Sequence, residues 1–182
     1  SIIIQGFNSI MCGFAGFSPT HDFVINAKQV GACMAGSLAH RGGDDFGVKL
    51  VDNICLAHSR LAIVDLSSAG HQPMTSTCGD FTISFNGEIY NHLKIREILN
   101  LSGLLHTWTS ASDTETLLVA LKHWGVRKTL QKVRGMFAFA FYDKKTKLLT
   151  LARDRIGEKP LYWGWINNTL FFASELKAMK AH

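Results

Sequence analysis

The chain of 182 residues is poor in the features that mark several functional classes. It has only three prolines, no internal repeat and no tract of low complexity, which excludes repeat and Pro-rich architectures. Its four cysteines, at 12, 33, 55 and 78, form no C-x-x-C pair. That spacing is neither a zinc pattern nor a dense disulfide framework, and it suits a reducing cytoplasm. Cys33 and Cys55 sit in apolar company and are expected as small core residues. The eight histidines, at 21, 40, 58, 71, 92, 106, 123 and 182, include no H-E-x-x-H pattern and no i, i+4 pair, so no metal is assigned. The longest apolar run, Met136–Tyr142, is far too short to span a membrane. The leading SIIIQGFNSI is too short and polar for a signal peptide. The net charge of +5 comes with no stripe of Lys and Arg interleaved with aromatics. The runs Arg127, Lys128, Lys132, Arg134 and Lys144, Lys145, Lys147 read as solvated or partner-facing surface, and nucleic-acid binding is not expected.

What is present is an apolar fraction of 47% in a chain long enough for one domain with a full core. Cys12–Phe17 reads as a buried strand. Ala27–Leu38 carries a helical face of Val30, Cys33, Met34 and Leu38, with Asn26 as cap. Val48–Val51 and Ile54–His58 flank Asp52-Asn53 as a hairpin, and Phe81–Phe85 alternates as a strand stopped by Asn86-Gly87. His92–Asn100 is a short amphipathic helix. Ser112-Asp113-Thr114-Glu115 is a capping box for a helix that runs to Trp124 and stops at Gly125. Two further hairpins are expected, Met136–Asp143 with Leu148–Arg153 and Leu161–Trp165 with Leu170–Ala173, and Ser174–Lys180 begins a last helix. Many antiparallel strands with helices between them predict an α+β layer architecture, and periodicity alone leaves the stacking order open.

The most informative residue is Cys12, which follows Met11 and opens the run CGFAGF. If residues 1–11 are absent from the active form, Cys12 carries a thiol nucleophile and a free α-amine, a candidate base, on one carbon. With the upstream residues attached, the amine is lost. Three origins for those residues stay open: an upstream extension or incomplete N-terminus, a cleaved propeptide, or a retained, inactivating lead.

Four groups of residues extend this reading. They are Met11–Gly16; His40-Arg41-Gly42-Gly43-Asp44-Asp45 with Leu56–Asp65; Phe85-Asn86-Gly87-Glu88-Ile89-Tyr90-Asn91; and Ser112–Glu115 followed by Gly135–Ala140 and Ala152-Arg153-Asp154-Arg155. In this order, from Met11 to about Ala178, the chain resembles the glutamine amidotransferase domain of glutamine-hydrolysing asparagine synthetases, which are N-terminal-nucleophile (Ntn) hydrolases. The resemblance implies a four-layer αββα sandwich of two antiparallel sheets spanning residues 12–182. It implies that Cys12 attacks the side-chain amide of L-glutamine and forms a thioester, with Asn86 and Gly87 as oxyanion donors. It also places Arg60, Leu61, Ile63 and Val64 around the substrate α-carboxylate, and Asp113, aided by Glu88, at its α-ammonium.

Each assignment has a plainer structural reading. Asn-Gly is a common turn, Arg60 would pair with Asp44 or Asp65, and an acid such as Asp113 favours a helix N-terminus. The family usually has proline where Gly43 stands, which would loosen the loop before Asp44. His40, His58 and His92 fall in the motifs and are expected to be structural. No cofactor is implied for glutamine hydrolysis; ATP and Mg²⁺ would belong to a C-terminal synthetase domain whose glycine-rich pyrophosphate loop is absent here. The partners implied are L-glutamine and that domain or a partner subunit, with Arg153–Trp163 facing it; a homodimer stays open. Other ammonia acceptors, such as a sugar in surface-polysaccharide synthesis, and a non-catalytic remnant with blocked Cys12, are the alternatives.

Overall fold

A computed structural model describes residues 11–18, 26–61 and 70–180. Nine strands and four helices alternate along them: β1 (Gly13–Phe17), α1 (Ala27–Ser37), β2 (Asp45–Val51), β3 (Ile54–Arg60), β4 (Met74–Thr75), β5 (Phe81–Ile89), α2 (His92–Leu101), α3 (Asp113–Lys132), β6 (Gly135–Asp143), β7 (Leu148–Arg153), β8 (Tyr162–Ile166), β9 (Thr169–Ala173) and α4 (Leu176–Met179). They form two antiparallel sheets, one in the order β2-β3-β1-β9-β8 and the other β4-β5-β6-β7.

The period of two along each strand sorts side chains into layers. On β6, Phe137, Phe139 and Phe141 pack with Leu117, Leu118 and Leu121 of α3. The alternate residues Ala138, Ala140 and Tyr142 pack with Phe14, Ile54, Leu56 and Phe172 of the other sheet. On β1, Ala15 and Phe17 turn outward to Ala27, Met34 and Leu38 in and beside α1. Helix α2 lies outside α3, joining Ile95 and Leu99 to Val119 and Ala120. The result is the four-layer αββα sandwich, an α+β fold.

Several local expectations change. The strand expected to end before Asn86-Gly87 continues to Ile89, with Asn86 opposite Ala138 and Gly87 opposite Phe137. Continuous pairing with β6 outweighs the turn preference of Asn-Gly. Helix α3 does not stop at Gly125: it breaks there, at φ 75°, and resumes to Lys132. Ser112 caps α3 by accepting from the Thr114 amide at 3.1 Å. Glu115 does not close the capping box; it accepts from the amides of Thr109 and Ser110 upstream. Asn26 sits at the cap position of α1 without a side-chain capping bond. Cys33 is exposed, because the buried face of α1 is Ala27, Gly31, Met34 and Ala35; Cys55 is buried as expected. Strand β4 was not foreseen, being only two residues long. Among the described residues, no helix is long and apolar enough to cross a membrane.

Candidate active site

The two sheets present the ends of three strands to one cleft. Cys12 immediately precedes β1 on the parity of Phe14, which faces the second sheet. Arg60 ends β3 on the parity of Leu56 and His58. Asn86 lies on β5 on the parity of Ser84, whose hydroxyl donates across the sheets to the Ala57 carbonyl at 3.4 Å. Alternation thus aims Cys12, Arg60 and Asn86 inward at the same end of the sandwich. They line one pocket of about 150 Å³ together with Leu61, Gly87, Glu88 and Asp113. Seven of the nine residues expected in the site therefore meet in one cavity. The other two, Ile63 and Val64, lie outside the described residues, as do the Asp65 alternative and residues 1–10.

Cys12 is held at its backbone carbonyl and at its sulfur. Its Sγ accepts from the Leu61 amide at 3.2 Å, and its carbonyl accepts from Arg41 Nε at 3.1 Å. Burial pushes the thiol above its ordinary value, while the Leu61 amide and the Arg60 charge pull the other way. Gly42 makes room for this arrangement: a β-carbon there would lie 2.5 Å from the Leu61 nitrogen and 2.6 Å from the Arg60 carbonyl carbon. Gly43 is under no such constraint, since a β-carbon would meet only the Ala39 oxygen at 3.5 Å.

Asn86 is 1% exposed, and its buried Nδ2 has no hydrogen-bond partner among the described residues. A buried amide donor left unpaired costs on the order of 1–3 kcal/mol, so it marks a place where an acceptor is expected. The preceding peptide is clamped from two sides. His58 Nε2 donates to the Phe85 carbonyl at 2.9 Å, Gln72 Nε2 donates to the same oxygen at 3.1 Å, and Gln72 Oε1 accepts from the Phe85 amide at 2.7 Å. Burial drives His58 down to about 4, so the ring is neutral. His58 has the structural role its motif suggested. The glycine at 87 is demanded by the neighbouring strand: at φ 153° its β-carbon would lie 2.1 Å from the Met136 carbonyl oxygen.

Asp113 opens α3 and is 8% exposed. Its Oδ2 accepts from the Ile89 amide at 2.8 Å, tying α3 to the end of β5. Burial raises its carboxyl above the usual range even though that amide and others favour the anion. The turn carrying Asp113 is fixed by Arg96 of α2, which donates to the carbonyls of Ser110 and Ser112 at 2.9 and 2.7 Å and to Thr116 Oγ1 at 2.7 Å. Glu115, His106 and Thr109 add a second tie to the same loop.

The pocket also includes Gln72 and Lys159, and Met136 of the Gly135–Ala140 motif, none of which the sequence reading gave a role in the site. Lys159 carried a faint signal, a lysine beside Pro160 in a segment otherwise apolar enough to suggest a contact surface. Gln72 carried none, because its work is done on the backbone of a distant strand. Among the described residues no group of three or more His, Cys, Asp or Glu side chains is arranged to hold a metal ion. Six of the seven lysines and arginines in the basic runs, Arg127, Lys128, Arg134, Lys144, Lys145 and Lys147, are exposed.

Known proteins resemble this chain along most of its length. Residues 11–182 match the family described as the glutamine amidotransferase domain. Asparagine synthetase (glutamine-hydrolysing) 1 of Bacillus subtilis strain 168 is 38% identical over 171 residues, which cover 93% of this chain and 26% of that protein. Asparagine synthetase (glutamine-hydrolysing) 3 of Arabidopsis thaliana is 41% identical over 143 residues, covering 78% of this chain and 24% of that one. The chain thus spans about a quarter of the length of these relatives. The glutamine phosphoribosylpyrophosphate amidotransferase of B. subtilis, solved with ADP and GMP, shares the fold at a TM-score of 0.78 and 21% identity, over 93% of this chain and 43% of that structure.

Proposed function

The chain belongs to the glutamine amidotransferase domain family, and from that premise we propose that it hydrolyses L-glutamine to glutamate and ammonia, with Cys12 as an N-terminal nucleophile. One observation carries the reading: the Cys12 sulfur shares a pocket with the buried, unpartnered Nδ2 of Asn86, with Arg60 and Asp113 in the same lining.

In this reading the α-amine, freed by loss of residues 1–11, takes the thiol proton as sulfur bonds to the side-chain amide carbon of glutamine. The oxygen that gains charge accepts from Asn86 Nδ2 and from the Gly87 amide. Each such donor is worth on the order of 3–4 kcal/mol in the transition state. The tetrahedral centre collapses, the C–N bond breaks, and the α-ammonium returns its proton to the departing ammonia. Water, deprotonated by the same amine, then cleaves the thioester and regenerates the thiol. Arg60 would hold the substrate α-carboxylate with Leu61, Ile63 and Val64 nearby. Asp113 and Glu88 would hold the α-ammonium, and a cation beside Asp113 would offset the burial that disfavours its anion.

The hydrolysis uses no cofactor. The ammonia would serve ATP- and Mg²⁺-dependent amidation of aspartate by a synthetase domain or partner subunit, as the names of the relatives suggest. The exposed Ile156, Tyr162 and Trp163 form an apolar surface suited to that neighbour. A reducing, cytoplasmic setting suits the free thiols. The test is glutamate release from glutamine by a chain beginning at Cys12, compared with Cys12→Ala. A rate that depends on Cys12 is expected, and equal background in both chains would sink the proposal.

A further inference from the structure

The wall of the pocket nearest the start of β1 holds an ammonium that the steps above do not use. Lys159 is 4% exposed and lies in the loop after β7. That loop is organised by one carboxylate. Asp154 Oδ1 accepts from the amides of Ile156, Gly157 and Glu158 at 3.1, 2.7 and 3.0 Å, and Oδ2 from those of Phe137 and Lys159 at 3.2 and 3.0 Å. Five converging amides fix where the Lys159 backbone stands. Its Nζ reaches the sulfur of Met11, the residue bonded to the Cys12 nitrogen. Among the described residues it makes no ion pair with a carboxylate. A buried ammonium without such a partner is costly unless its charge is used.

We propose that Lys159 is a positioning residue for the nucleophile: once Met11 is gone, its ammonium faces the Cys12 α-amine and sulfur, disfavouring the protonated amine and favouring the thiolate. The inference rests on Cys12 acting as an N-terminal nucleophile. Both effects serve the step in which the amine must be a neutral base and the sulfur must give up its proton. The other charges around Cys12 do not make Lys159 redundant. Arg41 is paired with Glu175, the Asp154 carboxylate is occupied by its five amides, and Arg60 and Asp113 act on the sulfur in opposite directions. Glu88 lines the same pocket, and Glu158, next to Lys159 in the chain, favours the charged form of the lysine. Lys159 itself bears the marks of this setting: burial and then the Arg41 charge depress its ammonium, while Glu158, followed by the Cys12 sulfur and Asp154, works to keep it charged.

The test compares chains beginning at Cys12 that carry Lys159, Lys159→Met or Lys159→Arg. Two pH profiles are read: alkylation of Cys12, followed on the N-terminal peptide so that Cys33 and Cys78 do not interfere, and kcat/KM for glutamine. Removing a nearby cation stabilises the protonated amine, so its acid limb moves to higher pH. Lys159→Met should raise both the alkylation midpoint and the acid limb by roughly one pH unit, with Lys159→Arg close to the parent. A folded Lys159→Met chain whose two profiles coincide with the parent's would overturn the proposal. Should that variant lose its fold, Lys159→Gln removes the charge while keeping hydrogen-bonding reach, and the same comparison decides. If the parent releases no glutamate, the proposed function fails, and the alkylation profile still decides the role of Lys159.

Discussion

Asn86 shows how much one residue's role depends on where its strand runs. Read as a turn, Asn86-Gly87 would place the side chain in solvent. Read as part of β5, it stands on the inner face, 1% exposed, with its amide unpaired. Replacing it with alanine should lower kcat for glutamine hydrolysis by roughly 10²–10³-fold with little change in KM, because the donor acts on charge that develops only in the transition state. Steady-state kinetics on the Cys12-exposed chain check this, and a pure KM effect would instead assign Asn86 to substrate binding. Identity and pairing of this kind were only half legible beforehand. The types Cys, Asn, Gly, Arg and Asp are the ones glutamine hydrolysis needs, and their motifs named them. That Gly87 is forced by the Met136 carbonyl, and that Gln72 and His58 clamp the Phe85 peptide, depends on contacts between residues far apart in sequence. No local pattern encodes those.

Elements carry the site by fixing short turns against each other. Helix α2 has little contact with the pocket, yet its Arg96 gathers the carbonyls of Ser110 and Ser112 and so sets the direction in which Asp113 enters α3. Arg96→Met should keep the α2–α3 packing of Ile95 and Leu99 while freeing that turn. We expect KM for glutamine to rise roughly tenfold with a smaller change in kcat; an unchanged KM would show that Ser112 and the Ile89 amide suffice to hold Asp113. The loop before β2 gives the opposite case. Gly43 has space for a β-carbon and no left-handed backbone requirement, so Gly43→Ala should raise stability by about 0.4–1 kcal/mol, chiefly by restricting the unfolded chain. Chemical denaturation measures it, and a loss would reveal a demand on this loop from a neighbour outside the described residues. The element boundaries that sequence misplaced share one cause. Turn residues at Asn86 and Gly125 were weighed locally, whereas strand pairing in β5 and the resumption of α3 after Gly125 are decided by the structure on either side.

At the scale of the whole molecule, periodicity identified antiparallel strands and helices without their order in space, and the resemblance supplied the layers. What physically joins the layers at the site is a chain of polar contacts from one end of the fold to the other. Arg41, just after α1, holds the Cys12 carbonyl through Nε and Glu175, just before α4, through Nη1 at 2.7 Å. His40 and Lys177 add their own contacts to the same carboxylate. Burial opposes ionisation of Glu175, but hydrogen bonds from Arg41, His40 and Lys177 outweigh it and hold the carboxyl down to about 2. Between the sheets, burial keeps His58 neutral down to about 4. Both groups bind fewer protons folded than unfolded, so both make stability fall as the solution is acidified, in different windows. The His58 contribution is lost from about pH 6.5, where the unfolded ring gains its proton, down to about 4. That of Glu175 is present above about 4.5 and is lost as pH falls toward 2. Unfolding free energies measured from pH 8 to 2.5 should therefore decline in two stages, with the lower stage on the order of 2 kcal/mol after allowance for solvent screening. Glu175→Gln should shrink the lower stage, to which the lowered carboxyls of Asp52, Asp80, Glu115 and Asp154 also contribute, and leave the upper one in place. If the variant follows the parent through both stages, the Arg41–Glu175 link does not hold the two ends of the fold together, and the placement of Cys12 rests on the Leu61 amide and β1 alone.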